Sequence, residues 1–214
     1  MPYRIAWDVS HREFTIEDGY YFSKLLSVLR EIGAEVIVTE ELKEAEDADT
    51  LVLNYPEEEF TSEDISFIKG FLSKGKRVVA LAYYNNEDRV GAILNDLANA
   101  FGIEILFDAV KEKVNFTGDD PYMVVTSKVF MYNKGVKRVL MPYSSSLRPL
   151  NPDISVIVQG EPTAQTTSGN RPILGCETRV GKGRFLCLGT CVFWDNYSIE
   201  KFDNLAFALN ILGP

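Results

Sequence analysis

Apolar and polar positions fall in blocks along this chain. Residues 3–9 form a short apolar run carrying Ile5, Trp7 and Val9, the pattern of a buried strand. It breaks at once into a polar cluster, Asp8, Ser10, His11, Arg12 and Glu13. Tyr21, Phe22, Leu25, Leu26, Leu29 and Ile32 then recur at helical spacing, predicting a helix over 20–32 closed by Gly33. Strands follow at 35–39 and 50–54, joined by an acidic connector read as a solvated turn of helix. The next helix is marked by Thr61 with Asp64 three residues on, which approximates a capping box. Phe60 and Ile65 hold staple positions, Ile65, Ile68, Phe71 and Leu72 form the inward stripe, and Gly75 ends it. Residues 77–83 are apolar on both faces, as a central parallel strand requires. Asn85 or Asn86 caps a third helix with Val90, Ile93, Leu94, Leu97 and Phe101 inward, before Gly102 and a strand over 103–107.

That order predicts an α/β fold: a three-layer, doubly wound, mostly parallel sheet of flavodoxin-like type with right-handed crossovers. In such sheets ligands sit beyond the carboxyl ends of the strands. Over 107–171 helical periodicity fades, prolines punctuate short β-like runs, and an irregular β-rich insertion within one domain of 214 residues is expected. Residues 173–179 and 184–189 flank Gly181-Lys182, predicting a C-terminal β-hairpin that sets Cys176 opposite Cys187. Ser198 is the expected cap of a last helix with Phe202, Leu205, Ala206, Leu209 and Leu212 inward, and Tyr197 with Phe202 as its staple.

Composition narrows the partners. A net charge of −9 lacks the basic footprint of a nucleic-acid binder and argues against docking on anionic lipid. No apolar run approaches the ~20 residues of a membrane span, so no membrane insertion is expected. The first residues carry no signal-peptide pattern, and three cysteines near the C-terminus suit a reducing compartment, giving a cytoplasmic expectation.

Two stretches, VSHREFTIEDGYYFSKLLSVLREIGAEV and EEEFTSEDISFIKGFLSKGKRVVAL, resemble the GIFT domain. That domain is shared by a gliding-motility ABC-transporter component and an intraflagellar-transport subunit. The tail, Gly181-Lys182-Gly183-Arg184 followed by Asn204 and Asn210, resembles the close of related glutamine-amidotransferase-like domains. The resemblance implies a class I glutamine-amidotransferase-like sandwich with a non-catalytic role in ligand binding, saccharide included, or in assembly.

The chemistry in the residues agrees with a non-catalytic reading. An amidotransferase needs a cysteine at a strand-to-helix elbow and a histidine base oriented by a carboxylate. The segment after the fourth strand, Leu81-Ala82-Tyr83-Tyr84-Asn85-Asn86, offers neither cysteine nor serine, and the one histidine is His11. The rival is an uncharacterised hydrolase or transferase using Asp8, His11 or Glu13. Ser10 and His11 are adjacent, and neighbours on a strand face opposite ways, so no nucleophile–base pair is expected there. No metal-ligand spacing of the C-x-x-C or H-x-x-x-H kind occurs, and no cofactor is expected. Asp119-Asp120-Pro121 reads as a turn. What remains is a polar, aromatic crevice at the strand tips. The first strand brings Asp8, Ser10 and His11, the third Asn54, and the fourth Tyr83, Tyr84 and Asn85. The hairpin brings Thr190 and Trp194. Amides and hydroxyls would meet a saccharide or other small polar ligand, with aromatic faces covering its ring. Phe193 and Trp194 are expected to be exposed, and this aromatic loop to suit a protein partner or homodimer.

Overall fold

The computed structural model describes residues 2–213. Its frame is a ten-stranded mixed sheet with four helices. Five neighbours run parallel in the order β2 (Glu35–Thr39), β1 (Arg4–Asp8), β3 (Thr50–Asn54), β4 (Arg77–Leu81) and β15 (Gly183–Leu188). Alternation along these strands sorts the two cores. Ile5, Trp7 and Val52 pack with α1 (Ser23–Glu31) and α4 (Asn204–Leu212). Ala6, Leu51 and Leu53 face the other way, onto α2 (Ser62–Ser73) and α3 (Val90–Ala98). Helices therefore cover both faces, which explains why the interiors of β3 and β4 are apolar on both faces.

Beyond β15 the sheet turns antiparallel through β14 (Ile173–Val180), β10 (Leu147–Pro149) and β5 (Ile103–Ile105). β11 (Ser155–Gln159) also pairs with β14, and β8 (Lys128–Val129) with β11. The irregular segment thus contributes strands to the main sheet. It also builds a small three-stranded sheet from β6 (Phe116–Thr117), β7 (Asp120–Thr126) and β9 (Val139–Pro142), and a short pair β12 (Gln165–Thr166) and β13 (Gly169–Asn170). In the β14–β15 hairpin Cys176 lies opposite Cys187, as the turn at Gly181 predicts. Gly183 permits the close approach of this hairpin to α2: a Cβ there would stand 2.1 Å from the Leu72 carbonyl oxygen.

Helix ends show where local signals held. Thr61 and Asp64 form a reciprocal capping box, and Gly75 takes the left-handed conformation after α2. Asn86 caps α3 from a distance, its Oδ1 accepting from the Ala92 N–H at 2.8 Å. Two helices differ from expectation. α1 begins only at Ser23, and Tyr21 and Ile32 are exposed, leaving Leu25, Leu26 and Leu29 as its buried residues. α4 begins at Asn204, not after Ser198, and Tyr197 and Phe202 are exposed. Its buried face is Asn204, Phe207, Ala208, Ile211 and Leu212. This helix is apolar nearly all round, so periodicity cannot choose its face. The Asn204 side chain chooses instead, bonding the backbone of Leu140 and the carbonyl of Phe193.

Candidate functional site

β1 and β3 are adjacent, yet α1 and α2 leave them toward opposite faces. The crevice beyond their carboxyl ends is where open α/β sheets hold ligands. Here the chain's own loop enters it. β1 stops at Asp8, and Arg12 turns the backbone with a φ of +61°. The turn brings Ser10 Oγ to 3.0 Å from His11 Nδ1, although strand geometry would have set the two side chains apart. Asp8 Oδ2 is 2.9 Å from the same nitrogen, and Ser10 Oγ donates to Asp8. Thr39 Oγ1 holds the other Asp8 oxygen at 3.2 Å. The Glu13 carboxylate accepts the His11 backbone N–H at 2.8 Å.

Asp8, His11 and Glu13 are all buried. The His11 ring stacks on Phe60 with centroids 4.2 Å apart, and its Nε2 faces Asp64 Oδ2 at 3.4 Å. The His11 carbonyl accepts from the N–H groups of Glu57 and Glu58. The cluster therefore clamps the β1 loop onto the start of α2. Burial, then the neighbouring Asp8 charge, pushes the Glu13 carboxyl up to about 8. Burial lowers the His11 pKa, but its bond to Asp8 and the surrounding carboxylates outweigh this and raise it.

An open pocket of about 180 Å³ lies to one side, over the tips of β3, β4 and β15. Asn54, Tyr55, Tyr83, Cys191 and Asp195 line it, with Phe14, Tyr21 and Phe22 from the β1 loop. Its aromatic wall is continuous, since Tyr55 meets both Phe14 and Tyr83 edge-on at 5.4 Å. Tyr55 is held with φ +65°, a strained conformation for a bulky residue, and its hydroxyl donates to Asp88 Oδ2 at 2.7 Å. Burial raises both phenols, so Tyr55 and Tyr83 are neutral hydroxyls. It also raises the Cys191 thiol, the opposite of what a thiolate nucleophile needs. Burial pushes Asp195 up to about 6.

The expected site residues thus divide into several places. Asn54 and Tyr83 line the pocket, whereas Asp8, Ser10 and His11 belong to the buried clamp. Tyr84 packs against Tyr122 and Tyr143, and Asn85 borders a separate cavity of about 530 Å³ with Asp108, Lys111 and Glu112. Thr190 is buried, its hydroxyl donating to the Pro142 carbonyl. The expectation of an exposed aromatic loop is overturned: Phe193 and Trp194 are both fully buried. Trp194 stacks on Phe193 and meets Trp7 at a tilt, and its Nε1–H donates to Asn54 Oδ1 at 3.1 Å. A buried acceptor for the indole N–H removes the reason for that loop to seek solvent or a partner. Phe14, Tyr21, Cys191 and Asp195 enter the pocket without a local sequence signal, since each lies in a connection whose path depends on distant packing.

The chain is a mixed α/β sheet with helices on both faces and an aromatic pocket at its strand tips. The solved "mmIFT52 N-terminal domain" superposes with a TM-score of 0.79 at 18% identity, covering 95% of this chain and 93% of that one. A cytoplasmic protein of Salmonella typhimurium LT2 superposes more loosely, with a TM-score of 0.57 at 12% identity over 98% of both chains. Residues 18–212 match the family described as "Domain of unknown function (DUF4350)", and the chain belongs to that family. It is 41% identical to an uncharacterized protein of Aquifex aeolicus (strain VF5), over 99% of this chain and 94% of that protein. Among the described residues no helix is long and apolar enough to cross a membrane.

Proposed function

We propose that this chain is a non-catalytic binding domain, built on the doubly wound, glutamine-amidotransferase-like arrangement, that holds one ring-sized polar ligand of the saccharide class. The observation that carries this reading is the pocket at the strand tips, whose lining joins the aromatic rings of Phe14, Tyr55 and Tyr83 to the Asn54 amide and the Asp195 carboxyl. At about 180 Å³ it is smaller than the ~300–1,000 Å³ of sites for larger ligands and suits a single ring. Aromatic faces cover the apolar side of a sugar ring, while the amide and carboxyl take its hydroxyls.

Two features support a role without turnover. A Ser–His–Asp relay uses both ring nitrogens, one for the nucleophile and one for the carboxylate. In this chain Ser10 and Asp8 meet the same nitrogen, His11 Nδ1. Cys191, which shares the pocket with Tyr83 of the expected elbow, has its ionisation suppressed by burial.

A panel of mono- and oligosaccharides and nucleotides, read by thermal shift and by ligand-observed NMR, tests the proposal. Binding without product, abolished in Tyr83→Ala, supports it. Turnover abolished in His11→Ala would instead establish the hydrolase or transferase reading. A second reading, protein assembly, is favoured by the exposed Phe14, Tyr21 and Tyr20 beside the pocket, the Tyr21 ring meeting Phe14 at 5.5 Å and Tyr20 at 4.8 Å. It predicts no saccharide binding, and a specific protein partner that the Tyr20→Ser/Tyr21→Ser variant no longer binds.

A further inference from the structure

The buried clamp contains a donor set that the binding proposal does not use. We propose that Asp8, His11 and Glu13 bind one divalent first-row transition-metal ion, which fastens the β1 loop to the start of α2. One donor atom from each residue lies within 4.8 Å of the other two. His11 Nδ1 is 2.9 Å from Asp8 Oδ2 and 3.8 Å from Glu13 Oε1. Donors so spaced can share a centre about 2.0–2.4 Å from each, the range of metal–nitrogen and metal–oxygen bonds. Ser10 Oγ adds a fourth oxygen, 2.9 Å from Asp8 Oδ2 and 3.0 Å from His11 Nδ1.

Two independent observations separate this cluster from an ordinary group of acids. First, Glu13 Oε1 is buried and meets no hydrogen-bond donor. Glu13 is only 6% exposed, and this oxygen points toward His11 Nδ1. A buried carboxyl oxygen without a partner is costly, and a cation that displaces the protons of Glu13 and His11 into solvent removes the cost. Second, the outer shell is that of a metal-bound histidine. The ring nitrogen away from the ion ordinarily donates to a carboxylate, fixing tautomer and orientation. His11 Nε2 faces Asp64 Oδ2 at 3.4 Å, and Asp64 is itself held by the Thr61 N–H and hydroxyl. Thr39 likewise supports Asp8, and the Phe60 ring fixes the imidazole plane.

Charge and ligand type choose the ion class. Two carboxylates with one neutral imidazole balance a divalent charge. The imidazole favours zinc or iron(II) and the two carboxylates admit manganese, whereas calcium and magnesium take oxygen alone. With Asp8, His11 and Glu13 all buried, the ion is a structural tie within the loop.

The test uses the whole chain after chelator treatment, titrated separately with zinc chloride, manganese chloride and anaerobic iron(II). Calorimetry should show saturable binding of one ion per chain for at least one of them, and that ion should raise the melting temperature. Glu13→Gln, which keeps the side-chain shape, should weaken it by more than about 100-fold, and Asp64→Asn by about 10–100-fold through the outer shell. No one-to-one binding of any of the three ions overturns the proposal, as does wild-type affinity in Glu13→Gln. Should Glu13→Gln not fold, X-ray absorption at the metal edge of the loaded wild-type chain decides. Imidazole nitrogen and carboxylate oxygen neighbours support the site, and a sulfur neighbour refutes it.

Discussion

Trp194 and Asn54 form the buried joint between the β15 tip and the β3 tip, and breaking it has a calculable cost. The indole N–H has its acceptor in Asn54 Oδ1 at 3.1 Å, with Trp194 fully buried and Asn54 1% exposed. Asn54→Leu keeps the volume roughly constant but leaves the N–H inside an apolar interior. A buried donor without an acceptor costs about 1–3 kcal/mol. The apolar methyls that replace the amide recover less than ~1 kcal/mol, given about 0.8 kcal/mol per buried CH₂. The expected loss is about 2 kcal/mol, or ~4–8 °C in melting temperature for a chain of this size. Trp194→Phe alone also destabilises. In the double variant the two losses should fall short of additivity by ~1–2 kcal/mol, because the second substitution finds the bond already gone. Urea unfolding followed by circular dichroism measures all three, since fluorescence would lose one of its reporters. An Asn54→Leu variant within about 0.5 kcal/mol of wild type, the range of ordinary surface changes, refutes the joint and returns the aromatic loop to the surface.

Other substitutions should separate fold-defining contacts from incidental ones in the same denaturant assay. Asn204→Ala removes three buried bonds, to the N–H and carbonyl of Leu140 and the carbonyl of Phe193, and should cost ~3–5 kcal/mol. Asn210→Ala removes two, to the Tyr132 and Lys134 carbonyls near the surface, and should cost ~1 kcal/mol; equal losses would contradict the assignment. Gly183→Ala should cost more than ~3 kcal/mol, because its Cβ meets the Leu72 backbone. Gly181→Ala, with φ +61° and open space around it, should cost ~1 kcal/mol. Asp195 gives a pH signature. Its native carboxyl is pushed up to about 6 from an ordinary 3.8, so the folded state takes up a proton before the unfolded state does. Stability contributed by this group therefore rises as pH falls from about 7 to about 4, by ~1–2 kcal/mol after discounting for its partial exposure. Asp195→Asn should remove that slope, and an unchanged slope counts against it.

Much of the frame was readable because local chemistry and tertiary packing agree there. The Thr61 capping box and the left-handed Gly75 and Gly102 carry strong local signals, and the strands at 50–54 and 77–81 join theirs to burial of nearly every residue. The Cys176–Cys187 register followed from turn length alone. Legibility ended where a polar side chain decides a face. Asn204 rotates α4 inward on hydrogen bonds to residues 64 and 11 positions away, which no window of sequence displays. Trp194 reads as exposed beside Asp195 and Asn196, yet its acceptor lies 140 residues earlier. Sheet order beyond β15 was equally hidden, since β5 reaches its partner β10 across more than forty residues of irregular chain.

The site was partly legible for a related reason. Strand tips are predictable from strands, but which tip stays open depends on what the connecting loops do. The loop after β1 turns back at Arg12, seats His11 against Phe60, and so closes the crevice between β1 and β3 with the chain's own residues. The accessible pocket is displaced toward β4 and β15, where Tyr55 accepts backbone strain to present its ring. Clamp and pocket are consequently coupled through one loop. His11 and Glu13 anchor it at one end, and Phe14, the next residue, forms part of the pocket wall. The Trp7 indole fixes the Phe14 carbonyl at 2.8 Å, so the wall is held from both sides. Loosening the clamp therefore frees Phe14 directly as well as the start of α2, so under the binding proposal ligand affinity should report on the clamp alongside global unfolding.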